Sequence, residues 1–136
     1  MTIGGAFPRY HDYYVEGGWG TSYGYVDSNN GQTLTNTLAK AKSFNLKYLQ
    51  LDTWNDFGEG TIIEPTVEDQ FSFLETIQQY TGVSYGHDEL ELIYQYYQKK
   101  KQYKSDSTKQ QTLLNIYHHL TALEVSQAKD LLTQLQ

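Results

Sequence analysis

Two carboxylates three residues apart, Asp56 and Glu59, are the residues whose types and spacing best suit catalysis. Cleavage of a glycosidic bond generally uses two carboxyl groups, one to protonate the leaving oxygen and one to attack or to activate a nucleophile. Gly58 and Gly60 flank Glu59 and favour a sharp turn and a close approach of substrate. Glu64 adds a third acid. Taken alone, the same acids also fit a loop in which they cap a helix or face solvent.

Aromatic and polar side chains near these acids suit the binding of a sugar. Trp54 is a candidate stacking wall, and Asn55 is a candidate hydrogen-bonding group. Further candidate sugar contacts in the Gly-rich first quarter of the chain are Trp19, Tyr23, Tyr25 and Asp27. Rings with a polar edge suit surfaces that are partly apolar and partly wet, as sugar-binding surfaces are. Ordinary loop packing explains the residues of this first quarter about equally well.

The elements around the acid pair follow an α/β pattern. Thr33 to Phe44 places Leu34, Leu38 and Ala41 on one helical face and therefore predicts a helix. Leu46 to Asp52 is a compact apolar segment, typical of a buried strand. Helix followed by buried strand favours a parallel sheet. The acid pair then lies just beyond the carboxyl end of a strand, where barrels of βα units carry their catalytic residues.

The remaining segments divide the chain into an α/β part, residues 1–82, and an all-helical part, residues 83–136. In the first part we predict a short strand within Met1 to Phe7, a long loop from Pro8 to Gly31, and a helix capped by Thr66 with Val67 facing inward. In the second part we predict helices from Asp88 to about Gln102, from Thr108 to Leu120, and from a capping box at Thr121 onward.

Composition and charge argue against several classes of partner. The formal net charge is −6 and the sequence pI is near 5.0, whereas a nucleic-acid binder normally carries a basic face. No apolar stretch approaches the roughly 20 residues that cross a bilayer, so we expect no membrane span. Cysteine is absent, and His118 and His119 point to different faces of a helix, so we expect neither a metal site nor a cofactor.

A family resemblance enters at the acidic motif. Trp54-Asn55-Asp56-Phe57-Gly58-Glu59 resembles the signature of α-1,3-glucanases, and the continuation to Pro65 is similar to a segment of endo-α-mannosidases. These enzymes form glycoside hydrolase families 71 and 99. Pro8 to Tyr14, followed by Gly18-Trp19-Gly20, resembles the strand and loop that precede the motif in such enzymes. The resemblance covers about residues 3 to 80.

The resemblance implies an α/β fold and an activity. The chain would form the last two βα units of a (β/α)8 TIM-type barrel, followed by an all-helical C-terminal extension. It would cleave α-linked polysaccharides or oligosaccharides with Glu59 as general acid/base. Asp56 would assist attack by the sugar's own 2-hydroxyl, or one of the pair would activate water. His11 would be a candidate substrate contact. The mannosidases carry Glu where this chain has Asp56, so sugar and stereochemistry stay open.

Length sets a further expectation. A barrel of this type has about 250 residues and at least about 200, whereas this chain has 136. We therefore expect the isolated chain to be inactive or weakly active, with a missing N-terminal barrel segment or a homo-oligomer completing it. The enzyme class suggests a secreted or periplasmic location, although the first residues do not resemble a signal peptide. The alternatives are an inactive carbohydrate-binding remnant using Trp54 and Trp19, or an interaction module in which the helices from Thr108 to Gln136 form an oligomer face.

Overall fold

The computed structural model describes residues 1–135, which fall into two units, Met1–Ser84 and Tyr85–Gln136. The first unit contains all of the strands found among the described residues, and the second is helical. Of the described helices, none is long and apolar enough to span a bilayer. Each unit is described by itself below.

The first unit combines very short strands with two helices. Its elements are β1 (Gly4–Ala6), β2 (Tyr10–His11), β3 (Tyr25–Val26), α1 (Gln32–Ser43), β4 (Leu49–Leu51), β5 (Asn55–Asp56), β6 (Thr61–Ile62) and α2 (Ser72–Thr81). Strands β1 and β4 pair in parallel, with Gly4 opposite Leu49 and Ala6 opposite Leu51. Strands β2 and β3 form one antiparallel pair, and β5 and β6 form another. The segment predicted as a long loop, Pro8 to Gly31, therefore contains a pair of strands.

The predicted fold class is wrong. The strands described in residues 1–135 form three separate two-stranded sheets, no barrel closes, and no βα unit of a TIM barrel is evident. The segment from Leu46 to Asp52 is also not a buried strand, because β4 covers only Leu49–Leu51 and Leu51 is 38% exposed. The physical reason is that a parallel strand is buried only when neighbouring strands and helices cover it on both faces. An apolar run cannot supply those layers by itself.

The core of the first unit holds the segment that leads into the candidate site. Ala6, Leu34, Leu38, Ile63 and Phe73 are buried together. The Thr37 hydroxyl of α1 lies 3.3 Å from the Phe7 N–H, which donates to it, and 3.2 Å from the Phe7 carbonyl oxygen. Helix α1, whose prediction over Thr33 to Phe44 is confirmed, thus fixes the end of β1, directly before residues 8–13.

The predicted helix start at Thr66 is wrong, because α2 begins at Ser72. The Thr66 hydroxyl does accept a hydrogen bond from the Asp69 N–H at 3.0 Å, but the Gln70 N–H then donates to the Thr66 carbonyl oxygen at 2.9 Å. Gln70 has a φ of 49°, which ends this tight turn before a helix can continue. Val67 is 90% exposed instead of facing inward.

The second unit consists of three helices around one apolar core. They are α3 (His87–Gln102), α4 (Ser107–Thr121) and α5 (Val125–Gln134), which confirms the three predicted helices. The buried core residues are Leu92, Leu113, Ile116, Ala128, Leu132 and Leu135. The predicted capping box at Thr121 is wrong, since Thr121 ends α4 and Glu124 is the N-cap residue of α5. Gln136 lies outside the described residues.

Candidate functional site

Asp56 and Glu59 lie in the turn that joins β5 to β6. Asn55 pairs with Ile62 and Asp56 pairs with Thr61, so residues 57–60 form the connection. The Glu59 N–H donates to Asp56 Oδ1 at 2.9 Å. The Asp56 side chain therefore helps to hold the backbone of Glu59. Asp56 Oδ2 and both carboxylate oxygens of Glu59 have no hydrogen-bond partner within residues 1–135.

Two threonines brace the base of this hairpin. The Thr53 hydroxyl donates to the Thr61 carbonyl oxygen at 2.9 Å and lies 2.9 Å from the Thr61 hydroxyl. It also accepts a hydrogen bond from the Asp56 N–H at 3.2 Å. Thr61 is buried, so these bonds are shielded from water. The start of the acidic turn is therefore fixed by side chains as well as by strand pairing.

A distant segment, residues 9–13, holds the other side of the turn. The carbonyl oxygens of Gly58, Glu59 and Gly60 accept hydrogen bonds from the Tyr13 N–H at 2.9 Å, the His11 N–H at 2.9 Å and the Arg9 Nε–H at 3.2 Å. Arg9 also forms an ion pair with Asp69 at 2.8 Å. The backbone of Glu59 is therefore held from both sides while its half-buried side chain keeps its carboxylate unpaired.

The two glycines of the turn allow this close approach. A Cβ atom at Gly60, whose φ is 64°, would lie 3.3 Å from the backbone nitrogen and oxygen of His11 and 3.2 Å from the Tyr13 ring. At Gly58 it would lie 3.0 Å from the Tyr14 ring. The sequence predicts that these glycines admit a substrate to the backbone, but residues 11–14 occupy that space.

Asp12 is a residue that sequence reasoning missed. It is 2% exposed, and its carboxylate accepts hydrogen bonds from the Tyr14 N–H at 3.0 Å and the Tyr23 N–H at 2.8 Å. These bonds tie together the two ends of the loop between β2 and β3. The bond from the Tyr14 N–H, two residues after Asp12, forms an Asx-turn. Asp favours such turns, and this preference is the feature of the sequence that could have indicated the role of Asp12.

His11 is the centre of an aromatic row on the same loop. Its ring stacks on Tyr13 with 3.9 Å between centroids and meets the edge of Tyr25 at 5.3 Å. His11 Nε2 lies 2.9 Å from Glu16 Oε1, and this hydrogen bond lowers the pKa of Glu16. The Tyr25 hydroxyl donates to Asp27 at 2.8 Å. Three ring residues from β2, β3 and the loop between them are thus brought into contact.

Three further groups in and around this loop have shifted pKa values. The Asn29 N–H and then the Tyr25 hydroxyl donate to Asp27, and both bonds lower the pKa of Asp27. The bond to Asp27 is the main reason why the pKa of Tyr25 is raised. Partial burial raises the pKa of Tyr10, and the nearby Asp12 and Glu59 carboxylates raise it further. The sequence alone did not indicate this electrostatic effect of Glu59 on Tyr10.

An open cleft of about 690 Å³ lies beside the acidic turn. Its lining residues are Arg9, Tyr13, Phe57, Ile62, Pro65, Thr66, Val67 and Glu68. Neither Asp56 nor Glu59 is among them, and Phe57 is the residue of the acidic motif that reaches the cleft. Phe57 and Tyr13 are both about half exposed, so they can serve as aromatic walls.

The other predicted contacts are exposed but more scattered. Trp19, Tyr23 and Trp54 all present large apolar surfaces to solvent. Neither tryptophan has a ring contact with another aromatic side chain in the described part of the chain. Asn55 is exposed on β5, and Glu64 is half-buried with its N–H donating to the Trp54 carbonyl oxygen at 2.9 Å. No ring contact in the described part of the chain therefore supports a binding surface that combines Trp19 and Trp54.

Neither a search for metal-binding groups nor comparison with known proteins assigns a further function to these residues. Across residues 1–135, no group of three or more His, Cys, Asp or Glu side chains could hold a metal ion. No family model, no curated protein and no solved structure matches the chain.

Proposed function

We propose that residues 1–84 are the carboxylate-bearing, glycan-recognising part of a glycoside hydrolase that acts on α-linked polysaccharides or oligosaccharides. The observation that carries the proposal is the acidic turn. Asp56 and Glu59 share it, its backbone is held by Thr53 on one side and by residues 9–13 on the other, and three of its four carboxylate oxygens are unpaired within the described residues. Catalytic groups need this kind of fixed support with free functional atoms.

The two carboxylates take different roles in this proposal. Glu59 is the general acid/base, because its carboxylate oxygens are free to exchange a proton with the glycosidic oxygen. Asp56 uses Oδ1 to hold the Glu59 N–H, which leaves Oδ2 to accept a proton from a sugar hydroxyl or from water. The assignment of roles follows the family resemblance, and the hydrogen bonds support it.

Aromatic rings beside the turn provide the binding surface. Tyr13 and Phe57 form walls of the cleft, and the row of rings continues from Tyr13 through His11 to Tyr25. The C–H face of a sugar ring stacks on such rings while charged groups bind its hydroxyls. Arg9 and Glu68 supply these charged groups at the cleft. The surface is open to water, so we expect weak binding and slow turnover.

The first experiment measures hydrolysis of α-1,3-linked gluco-oligosaccharides and α-linked manno-oligosaccharides by mass spectrometry of the products. We expect slow cleavage that Glu59→Gln abolishes, because the amide cannot transfer the proton, and that Asp56→Asn lowers strongly. Asp130→Asn, an equally conservative change at an exposed position of α5, is the matched control and should keep full activity. Equal activity of Glu59→Gln and the native chain would refute the catalytic role.

A second candidate function, glycan binding without cleavage, is favoured by one observation. The cleft lining excludes both Asp56 and Glu59, and Asp56 has a structural role in the turn. In that case Phe57→Ala removes glycan binding in a calorimetric titration, Glu59→Gln leaves it unchanged, and no product forms with any oligosaccharide tested. Val15→Ala, at another exposed apolar side chain outside the cleft, controls for nonspecific loss of surface.

A further inference from the structure

The cleft beside the acidic turn has an uneven balance of charge. Among the described residues that line it, Arg9 is the only cation and Glu68 is the only anion. Arg9 is already occupied, because it forms an ion pair with Asp69 at 2.8 Å and its Nε–H donates to the Gly60 carbonyl oxygen. The exposed carboxylate of Glu68 has no hydrogen bond or ion pair within residues 1–135. These lining residues therefore offer a ligand one free negative charge and no free positive charge.

The charge of the first unit has the same sign. Residues 1–84 contain four Lys and Arg but ten Asp and Glu, a formal net charge of −6, whereas residues 85–136 contain six of each. Each of the three lysines of this unit lies over an aromatic ring, and none of those rings lines the cleft. Residues 48–84 contain no Lys or Arg. Charges of one sign around an open cleft create a potential that attracts ligands of the opposite sign.

We propose that the cleft binds α-linked glycans that carry protonated amines, that is, oligosaccharides or polysaccharides of amino sugars. This inference rests on the function proposed above and narrows its substrate class. The ammonium group of one sugar unit pairs with the free carboxylate of Glu68. The rings of Tyr13 and Phe57, which are both about half exposed, contact the C–H face of the sugar. Such rings also attract cations, so the aromatic walls and the carboxylate favour the same ligand.

The charge of the cleft discriminates between classes of glycan. A neutral glycan can use the rings of Tyr13 and Phe57, but it leaves Glu68 without a partner of opposite charge. A glycan with carboxylate or sulfate groups is repelled by Glu68, and it finds the guanidinium of Arg9 already bound to Asp69. An amino sugar is the class that gains from both the rings and the free carboxylate.

The experiment measures binding to the full chain by isothermal titration calorimetry. One probe is an α-1,4-linked galactosamine oligosaccharide, and the other is the galactose oligosaccharide of the same length and linkage, which has a neutral hydroxyl in place of each amine. At low salt we expect the amine form to bind about tenfold more tightly. Salt at about 1 M should remove this difference, because it screens charges over about 3 Å. Equal affinities at low salt, or no binding of the amine form, overturn the inference.

Three variants locate the interaction. Glu68→Gln removes the charge with little change of shape, so it should weaken binding of the amine form at least about threefold and leave the galactose form unchanged. Phe57→Leu should weaken both forms alike, because both lose the same ring. Asp130→Asn changes the net charge of the chain as Glu68→Gln does, but outside the cleft lining, and should alter neither. An amine preference that survives Glu68→Gln intact refutes the role of Glu68.

Cleavage is measured separately on the same two probes, by mass spectrometry of the products. A Glu68-dependent preference for the amine form without any cleavage supports this inference and contradicts the hydrolase. Cleavage of the galactose form by a chain that shows no preference for the amine form has the opposite meaning. The substrate class and the catalytic activity can therefore fail independently of each other.

Discussion

The two units of this protein are held together by different kinds of interaction. In Tyr85–Gln136, three amphipathic helices bury apolar side chains against one another. In Met1–Ser84, a smaller apolar core is supplemented by polar side chains that bind distant backbone groups, as Asp12, Thr37 and Thr53 do. The second kind of support is directional, so it can place a carboxylate at a defined position, whereas apolar packing mainly stabilises a helix bundle.

The comparison also explains where chemistry is to be expected. In the helical unit, the Gln110 side chain donates to two backbone carbonyl groups, those of Lys100 and Tyr103 at the end of α3. In the first unit, the side chains of Arg9, Thr53 and Asp56 bind backbone groups of residues 56–61, and this segment carries both candidate catalytic acids. The strength of such a hydrogen bond depends on its burial and on one donor or acceptor atom of the side chain. A single substitution can therefore test it.

The largest effect should follow from removing the buried carboxylate of Asp12. Asp12→Ala leaves the Tyr14 and Tyr23 N–H groups without their acceptor, and we expect it to destabilise the first unit by about 3 kcal/mol. Asp106, which caps α4 from an exposed position, is the matched residue of the second unit. Asp106→Ala should cost only about 1 kcal/mol. Urea unfolding measures both free energies.

The two units can be followed separately in that measurement. Both tryptophans of the chain, Trp19 and Trp54, lie in the first unit, so tryptophan fluorescence reports on it alone. Circular dichroism at the helical band reports mainly on α3, α4 and α5. The comparison of the two units fails if Asp106→Ala is as costly as Asp12→Ala.

A smaller effect is expected at Gly60. Gly60→Ala requires a positive φ and brings Cβ within 3.3 Å of the His11 backbone, so we expect a loss of about 2 kcal/mol. Gly18 has a φ of 86°, and a Cβ atom added there would meet no neighbouring atom within 4 Å. Gly18→Ala therefore has only the backbone cost, about 1 kcal/mol. The difference between the two variants measures how tightly residues 9–13 hold the turn, and equal losses would argue against that contact.

The smallest effect concerns pH. The folded-state pKa values of Glu16 and Asp27 are lowered from 4.5 and 3.8, so the unfolded chain binds more protons in this range. Their stabilisation is therefore complete above these values and is lost as pH falls through the lowered folded-state values. We expect the near-ultraviolet dichroism of the loop tyrosines to change on acidification below pH 4.5 while the helical signal is retained. Asp27→Asn should remove part of this change, and a transition unaffected by that variant would exclude Asp27 as its source.

The parts of the fold that the sequence predicts are those with a repeating pattern. Leu34, Leu38 and Ala41 recur at the helical period and correctly predict α1, and the same pattern predicts the helices of the second unit. Strands of two or three residues are too short to show a period of two. The prediction of a barrel depended on a resemblance to longer proteins. A local apolar segment does not indicate whether further strands lie beside it.

The sequence predicts part of the candidate site. Asp56 and Glu59 are only three residues apart, so the sequence predicts that they share a turn. The structure contains this turn, in which the Glu59 N–H donates to Asp56 Oδ1. Arg9, Tyr10 and Asp12 are missed as site residues, because their contacts with the turn or the loop depend on tertiary structure. Arg9 and Gly60, for example, are 51 positions apart in the chain, and no local pattern signals the bond between them.

The three hydrogen bonds between residues 9–13 and the carbonyl groups of residues 58–60 have a consequence for how such a protein can change. They fix the backbone around Glu59 through residues 9–13, which precede the exposed loop residues 15–22, and that loop takes no part in them. Asp12 closes the base of the loop by binding the Tyr23 N–H. Insertions or substitutions in residues 15–22 should therefore leave the acidic turn in its position. The exposed loop and the turn can vary independently of each other along one chain.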